Sequence, residues 1–341
     1  MARNEMRAIV IDRFGGPETL SVRNIPIPEI KPDQILIRVG SAGVGIWDVA
    51  EREGRLAPMM QQVYGLKASF PYVIGSEGAG TVIDVGDKVS GFRKGDLVYA
   101  DVFARDPKGG FYAEFTAADA SGALPIPPNL TIEQAGALYI DGLVALRGLW
   151  DILQMKPQEK LMIFGASGGI GHLAVQLGRA MGVRVFAVAS GEDGVALSKR
   201  LGAEDAVEGH DPQTVETSAR HFAPNGFDAA LVTVRGTSPD ALRAAEKALT
   251  NVREGGRVAV PWGSVMPTPK VPPNVKALSF GAADESGKNP QGSLQKLNKM
   301  IEQDGNFQVH IGKTFPLDRV VEAHQALGSH YLGRLALLPG R

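Results

Sequence analysis

"IFGASGGIGHLAVQLGRAMGVRVFAVAS", residues 163–190, decides how this chain of 341 residues is read. The apolar strand "KLMIFG" runs into a glycine-rich turn, a helix is expected from about Gly168 to Met181, and a second apolar strand, "VRVFAVA", follows. Gly165-x-x-Gly168-x-x-Gly171 alone would carry little weight, because glycines at such spacing also serve helix packing. Placed directly after a strand and at the opening of a helix, it acquires a chemical meaning. A helix start leaves N–H groups unpaired and carries partial positive charge, so a pyrophosphate can rest against it, and a Cβ would hold that phosphate away. Gly165, Ala166, Ser167, Gly168, Gly169, Ile170 and Gly171 are therefore the expected dinucleotide cradle. The plain alternative is a tight strand-to-helix turn with no ligand.

The end of the second strand bears on which dinucleotide is bound. An NAD site usually ends this strand in an acid that hydrogen-bonds the adenosine ribose. Here Ala189 takes that place and Ser190 follows. A small residue admits a 2′-phosphate, and Ser190 is either its donor or a plain turn serine. Glu192 and Asp193 oppose the phosphate reading unless they serve the first turn of the next helix. His210, with Lys199 or Arg200, is the expected source of positive charge. The preference is NADP(H) over NAD(H).

Outward from this stretch, strands and helices alternate through "EDGVALSKRLG", "DAVEG", "FDAALVTV" and "GRVAVPW", which predicts a doubly wound parallel sheet of the Rossmann α/β class, covered on both faces. The first 125 or so residues instead carry short apolar runs ("RAIVID", "QILIRVG", "GAGTVIDVG", "DLVYA") between Gly, Pro and Asp turns, which predicts a small β-rich barrel or sandwich. "LPIPPNL" (124–130) suits a crossing between domains. "TIEQAGALYIDGLVALRGLWDIL" has helical period, with Asp141 placed to cap its later half. The expected division is 1–126 with 304–341 as the β-rich domain and 127–303 as the dinucleotide domain.

Composition narrows the function classes. Net charge is −1, the hydrophobic fraction 44% and the charged fraction 21%, so no field draws the chain to nucleic acid. No apolar run reaches membrane-span length, and "MARNEMRAIVID" lacks the features of a signal peptide, so a cytoplasmic protein is expected. The cysteine count is zero, which removes disulfides, thiolate nucleophiles and Cys-ligated zinc.

Taken together, "SAGVGIWDVAEREG" (41–54), "IGSEGAG" (74–80), "VGDKVSGFRKGDLVYA" (85–100), "GGFYAEF" (109–115), "GASGGIGHLAVQLGRAMG" (165–182) and "GRLALLP" (333–339) resemble the medium-chain dehydrogenase/reductase superfamily. The likeness is to its zinc-independent branch, the quinone oxidoreductases and related enone reductases. It implies a GroES-like β domain with a Rossmann domain inserted before the final segment, the coenzyme in the cleft between them, and a homodimer joined through the outer Rossmann strand, here "VKALSFG" (275–281). Where zinc-dependent relatives carry metal ligands, this chain has Gly45, Ser76 and Asp141, so no zinc is expected. It also departs from the quinone reductases. Their Asn after Gly-Val is Gly45 and their tyrosine is Leu56, so that tyrosine's role does not carry over.

The activity this implies is hydride transfer from NADPH to a quinone or an α,β-unsaturated carbonyl compound. Two alternatives are an alcohol dehydrogenase-type enzyme with an absent or atypical metal site, and a non-catalytic NADP-binding protein. Trp47, Tyr64 and Tyr139 are candidate substrate-pocket residues, each with a packing role as its rival. The segment 55–71 is expected to form part of a lid, with Tyr64 a stand-in for the lost phenol. Asp141 and Tyr64 are the weak catalytic candidates, a helix cap being favoured for Asp141. Asp48 with Glu51 is read as a capping pair, and Glu77 as half of a buried ion pair. "PWGSVMPTPKVPPN" (261–274) is read as lining the nicotinamide end or a dimer contact, or as a passive loop.

Overall fold

The computed structural model describes residues 4–103, 109–234, 239–262, 269–282 and 291–340; of the proline-rich 261–274, residues 263–268 lie outside them. The chain begins with β1 (Glu5–Ile11), β2 (Ser21–Pro26) and β3 (Gln34–Val44), then α1 (Ile46–Arg52) and α2 (Ala57–Tyr64). Next come β4 (Tyr72–Val73), β5 (Glu77–Val85), β6 (Leu97–Asp101), β7 (Phe115–Asp119) and β8 (Ala123–Pro125). After α3 (Ile132–Ala135) and α4 (Tyr139–Arg147) the alternation starts: β9 (Lys160–Phe164), α5 (Gly169–Ala180), β10 (Arg184–Ala189), α6 (Gly191–Arg200) and β11 (Asp205–Glu208). It continues through α7 (Pro212–Phe222), β12 (Phe227–Val232), α8 (Pro239–Leu249), β13 (Val252–Pro261) and β14 (Lys276–Phe280). The last elements are α9 (Gln291–Gln303), β15 (Ile311–Pro316), α10 (Val320–Ala326) and β16 (Arg334–Leu338).

Contacts divide the chain into two compact units. One comprises Met1–Ile140, Glu285–Asn298 and Gln308–Arg341; the other comprises Asp141–Asp284 and Lys299–Phe307. The first holds a sheet of order β15-β16-β3-β5-β6-β8, with β7 also paired to β3, and a smaller β2-β1-β4 sheet. Its core gathers the inward residues of these strands, among them Ile9, Ile35, Ile37, Val98 and Phe111, with Phe315, Leu335 and Leu337 from the C-terminal segment. This is the GroES-like domain fold.

The second unit is the Rossmann domain. Its six strands are all parallel and ordered β11-β10-β9-β12-β13-β14. β9 and β10 are buried along nearly their whole length because helices cover both faces, and for that reason their sequences do not alternate. β14 stands at the edge, where "VKALSFG" was expected.

Two local expectations need correction. The helical period of residues 131–153 breaks in the middle: α3 ends at Gly136, where a Cβ would lie 2.7 Å from the Ser41 carbonyl oxygen, and α4 restarts at Tyr139. Close approach to β3 wins over periodicity. Asp141 is accordingly the third residue of α4 and not the residue ahead of it, so it is no N-cap. Asp48 likewise caps α1 from inside and not by pairing with Glu51. The helix opens at Gly45, whose N–H donates to Asp48 Oδ2 at 2.8 Å.

Candidate active site

The candidate dinucleotide cradle lies at the point where the order of the parallel sheet reverses. β9 lies between β10 and β12, and its C-terminal end opens into the glycine turn. Gly165 adopts φ +89°, and a Cβ there would meet Thr233 Oγ1 and the Val234 nitrogen at 2.8 Å, so this position requires glycine. Gly168 is the N-cap of α5, and the first helical bond runs from the His172 N–H to the Gly168 carbonyl at 3.0 Å. The amides of Gly169, Ile170 and Gly171 thus precede the hydrogen-bonded ladder and carry the positive end of the helix. A Cβ on Gly168 would find only the Gly165 carbonyl oxygen, at 3.4 Å, so this face of the turn is open. A Cβ on Gly171 would come within 2.1 Å of that same oxygen, which is how closely α5 sits on the turn. An open N-terminal turn with a glycine at its mouth fits a dinucleotide's pyrophosphate.

Side chains hold this turn in shape. His172 is fully buried, and its Nδ1 lies 2.8 Å from the Gly168 carbonyl, which can only accept, so Nδ1 carries the proton. Ser167 Oγ accepts the Ser190 N–H at 3.3 Å and ties the turn to the end of β10. Thr233, at the end of β12, donates its hydroxyl to the carbonyls of Phe164 and Gly165 at 3.1 and 3.2 Å. Thr233 was missed in the sequence, where it reads as one more residue in a strand.

Of the residues expected at the ribose end, Ser190 is brought to the turn and His210 is placed nearby. Ser190 occupies the N-cap of α6 without using its hydroxyl for capping. His210 follows β11, exposed, with its ring paired to Glu208. Lys199 and Arg200 are not brought there. They lie at the opposite end of α6, about 13 Å along the axis at the standard rise, and Lys199 pairs with Asp205 at 3.2 Å. Neither supplies charge beside Ser190.

In the β-rich unit the substrate candidates separate. Trp47, on α1, stands edge-on to Phe103 with centroids 6.1 Å apart. Phe103 in turn helps line an apolar recess with Phe14, Glu51, Leu56, Met60 and Tyr72. Leu56 and Met60 come from α2 and its cap, whereas Tyr64 sits at the last turn of that helix, outside the recess wall. Among residues 57–64 none is fully buried. Tyr139 is buried, edge-on to Tyr99 at 5.8 Å. Tyr72 was not foreseen; it stacks on Phe70 at 5.3 Å, and burial, reinforced by the Glu51 carboxylate, pushes its hydroxyl pKa well up. It is a protonated phenol lining the recess.

The same unit holds buried polar groups. Asp48 Oδ1 accepts the Ser76 N–H at 3.1 Å and its hydroxyl at 3.2 Å. Glu77 pairs with Arg334 and accepts the Ile140 N–H at 2.8 Å, both members of the pair being 3% exposed, as the ion-pair reading of Glu77 expected. Among the described residues no group of three or more His, Cys, Asp and Glu side chains is arranged to hold a metal ion. Nor is any helix among them long and apolar enough to cross a membrane.

Comparison with known proteins bears directly on this arrangement. The chain matches the alcohol dehydrogenase GroES-like domain family over residues 31–128 and the zinc-binding dehydrogenase family over residues 169–278. It is 30% identical to the quinone oxidoreductase of Mus musculus, with 98% of each chain covered. The chain belongs to the medium-chain dehydrogenase/reductase superfamily, in its quinone oxidoreductase-like branch. An Arabidopsis thaliana protein named NADPH-dependent alkenal/one oxidoreductase, chloroplastic, is 28% identical over 98% of this chain and 80% of its own length. Among solved structures, a mycobacterial protein complexed with NADPH superposes with a TM-score of 0.80 at 27% identity, covering 98% of this chain and 100% of that one. An NAD-dependent alcohol dehydrogenase superposes with a TM-score of 0.84 at 25% identity, over 98% and 99%. This superfamily member is an oxidoreductase of the quinone and enone reductase type.

Proposed function

We propose that this protein is an NADPH-dependent, zinc-independent reductase of quinones or α,β-unsaturated carbonyl compounds. The observation that carries the reading is the open first turn of α5 at the sheet's switch point, beside a β10 that ends in Ala189–Ser190 and not in an acid. The amides of Gly169, Ile170 and Gly171 hold the pyrophosphate, and Ser190 with His210 faces the adenosine ribose and its phosphate. Bound there, the coenzyme supplies a hydride from its nicotinamide ring.

The acceptor class follows from the groups available at the positions where zinc-dependent relatives place ligands. Gly45 has no side-chain donor, and the Ser76 hydroxyl is held by Asp48. Reducing an isolated carbonyl creates a strongly basic alkoxide, which calls for a Lewis acid or a placed proton donor. Reducing a quinone or a conjugated enone creates a delocalised phenolate or enolate, less basic by several pKa units at about 1.4 kcal/mol each. Neutral donors and water suffice for that anion. The apolar recess of Phe14, Leu56, Met60 and Phe103 receives the acceptor's body, with Trp47 at its side and the Tyr72 hydroxyl as a neutral donor. The outer strand β14 provides the expected homodimer contact.

Purified protein incubated with NADPH and a panel of quinones, enones, simple ketones and aldehydes should oxidise the coenzyme with the first two classes and not with the last two. Metal chelators should leave the rate unchanged. Turnover of simple aldehydes that chelation abolishes would overturn the reading.

A further inference from the structure

The acid missing from the end of β10 is restored from the neighbouring strand. β11 pairs with β10 in parallel, and the register sets Glu208 directly beside Ala189. The chain then folds over the end of β10, with the Gly209 N–H bonded to the Ala189 carbonyl at 2.8 Å. Glu208 therefore reaches the start of α6: Oε1 accepts the Gly191 N–H at 3.4 Å, and Oε2 accepts the His210 N–H at 2.8 Å. The same carboxylate pairs with the His210 ring. A carboxylate and an imidazole thus flank Ser190, and they favour opposite coenzymes. A carboxylate accepts from a ribose 2′-hydroxyl and repels a 2′-phosphate; an imidazole donates to that phosphate.

We propose that Glu208, and not residue 189, sets the coenzyme choice of this enzyme, with His210 as its counterweight. The proposal rests on the dinucleotide reading of the glycine turn. The Glu208–His210 pairing damps both preferences, so the wild-type preference for NADPH is modest, its dissociation constant lying no more than about tenfold below that of NADH. Removing the negative charge tips the site toward the phosphate, and removing the imidazole tips it toward the plain ribose.

Dissociation constants for NADPH and NADH, from coenzyme fluorescence in the absence of any acceptor, test this without relying on turnover. Glu208→Gln removes the charge and keeps one of the two amide acceptors, and should raise the NADPH-over-NADH preference about tenfold, chiefly by weakening NADH and tightening NADPH. His210→Ala should lower the preference by a similar factor. Glu208→Asp, which keeps the charge on a shorter arm, should stay within about threefold of wild type. A ratio unchanged in both Glu208→Gln and His210→Ala overturns this proposal alone. Binding of neither coenzyme to the wild-type protein overturns the dinucleotide reading and this proposal together. A wild-type preference for NADH far beyond tenfold defeats the NADPH assignment, while a Glu208→Gln shift toward NADPH would still support the role of Glu208.

Discussion

Gly168 and Gly171 stand three positions apart in one motif and do different work. At Gly171 a methyl group would collide with the backbone of Gly165 and Ala166, so Gly171→Ala strains the contact between α5 and β9. Overpacking of this kind costs about 1–3 kcal/mol. At Gly168 the backbone already has the extended φ of −83° that alanine tolerates, and a methyl group would make only an ordinary contact, 3.4 Å from the Gly165 carbonyl oxygen. Thermal denaturation and coenzyme titration should therefore dissociate: Gly171→Ala lowers the melting temperature by several degrees, whereas Gly168→Ala leaves it nearly unchanged yet weakens coenzyme binding tenfold or more. The motif itself was legible in the sequence because glycines at fixed offsets between strand and helix have few other uses. Glu208 and Thr233 were not, since their proximity to it depends on which strands neighbour β10 and β9, and strand order leaves no local trace. Lys199 and Arg200 misled for the matching reason: nearness in sequence to Ser190 became a whole helix length in space.

At the level of elements, β16 shows how a strand is pinned. It lies between β15 and β3, pairing Leu335 with Val44 and Ala336 with Gly43. Its first residue, Arg334, reaches past β3 to Glu77 at the start of β5, and Gly43 makes this possible: a Cβ there would lie 2.7 Å from Glu77 Oε1 and 3.0 Å from Arg334 Nη2. Arg334→Met leaves a buried carboxylate without its cation, which typically costs about 3–5 kcal/mol, whereas neutralising both partners is far milder. Urea denaturation should show a large loss for Arg334→Met and partial recovery in the double variant Arg334→Met with Glu77→Gln. The sequence indicated that Glu77 needs a partner, but Arg334 lies 257 positions away and only the sheet order joins them. The helical run after Leu130 was legible in type and as two parts, but its break falls at Gly136, ahead of Asp141, because it comes from contact with Ser41.

Across the whole molecule, residues 272 positions apart meet in a buried contact. Arg52 Nη1 on α1 lies 3.0 Å from His324 Nδ1 on α10. Burial, first of all, and the Arg52 guanidinium push the His324 pKa down to about 4, against the opposing pull of Asp48 and Glu53. In the folded protein this imidazole is neutral over a range where the unfolded chain already binds a proton. Stability therefore falls as pH drops below about 6.5 and levels off below about 4, by roughly 3 kcal/mol in all for this one group. Melting temperature measured from pH 7.5 to pH 4 should show that slope, and His324→Gln, which has no proton to gain, should flatten it. Fold class was readable from the change of texture near residue 125 and from the alternation beyond it. The contact between α1 and α10 was not, since nothing in "DRVVEAHQALG" announces what that histidine will face.

The sheet order of the β-rich unit has a consequence for biosynthesis. β16 fills an interior position of its sheet although it follows that sheet's other strands in sequence, so the Ala42–Val44 end of β3, beyond the stretch that β7 pairs, waits for its partner while some three hundred residues, including a complete parallel sheet, are translated. A ribosome-bound intermediate of this protein therefore displays a short unpaired strand end next to an apolar interior until β16 emerges, and that end invites pairing with other nascent chains. Completion of that sheet waits for β16.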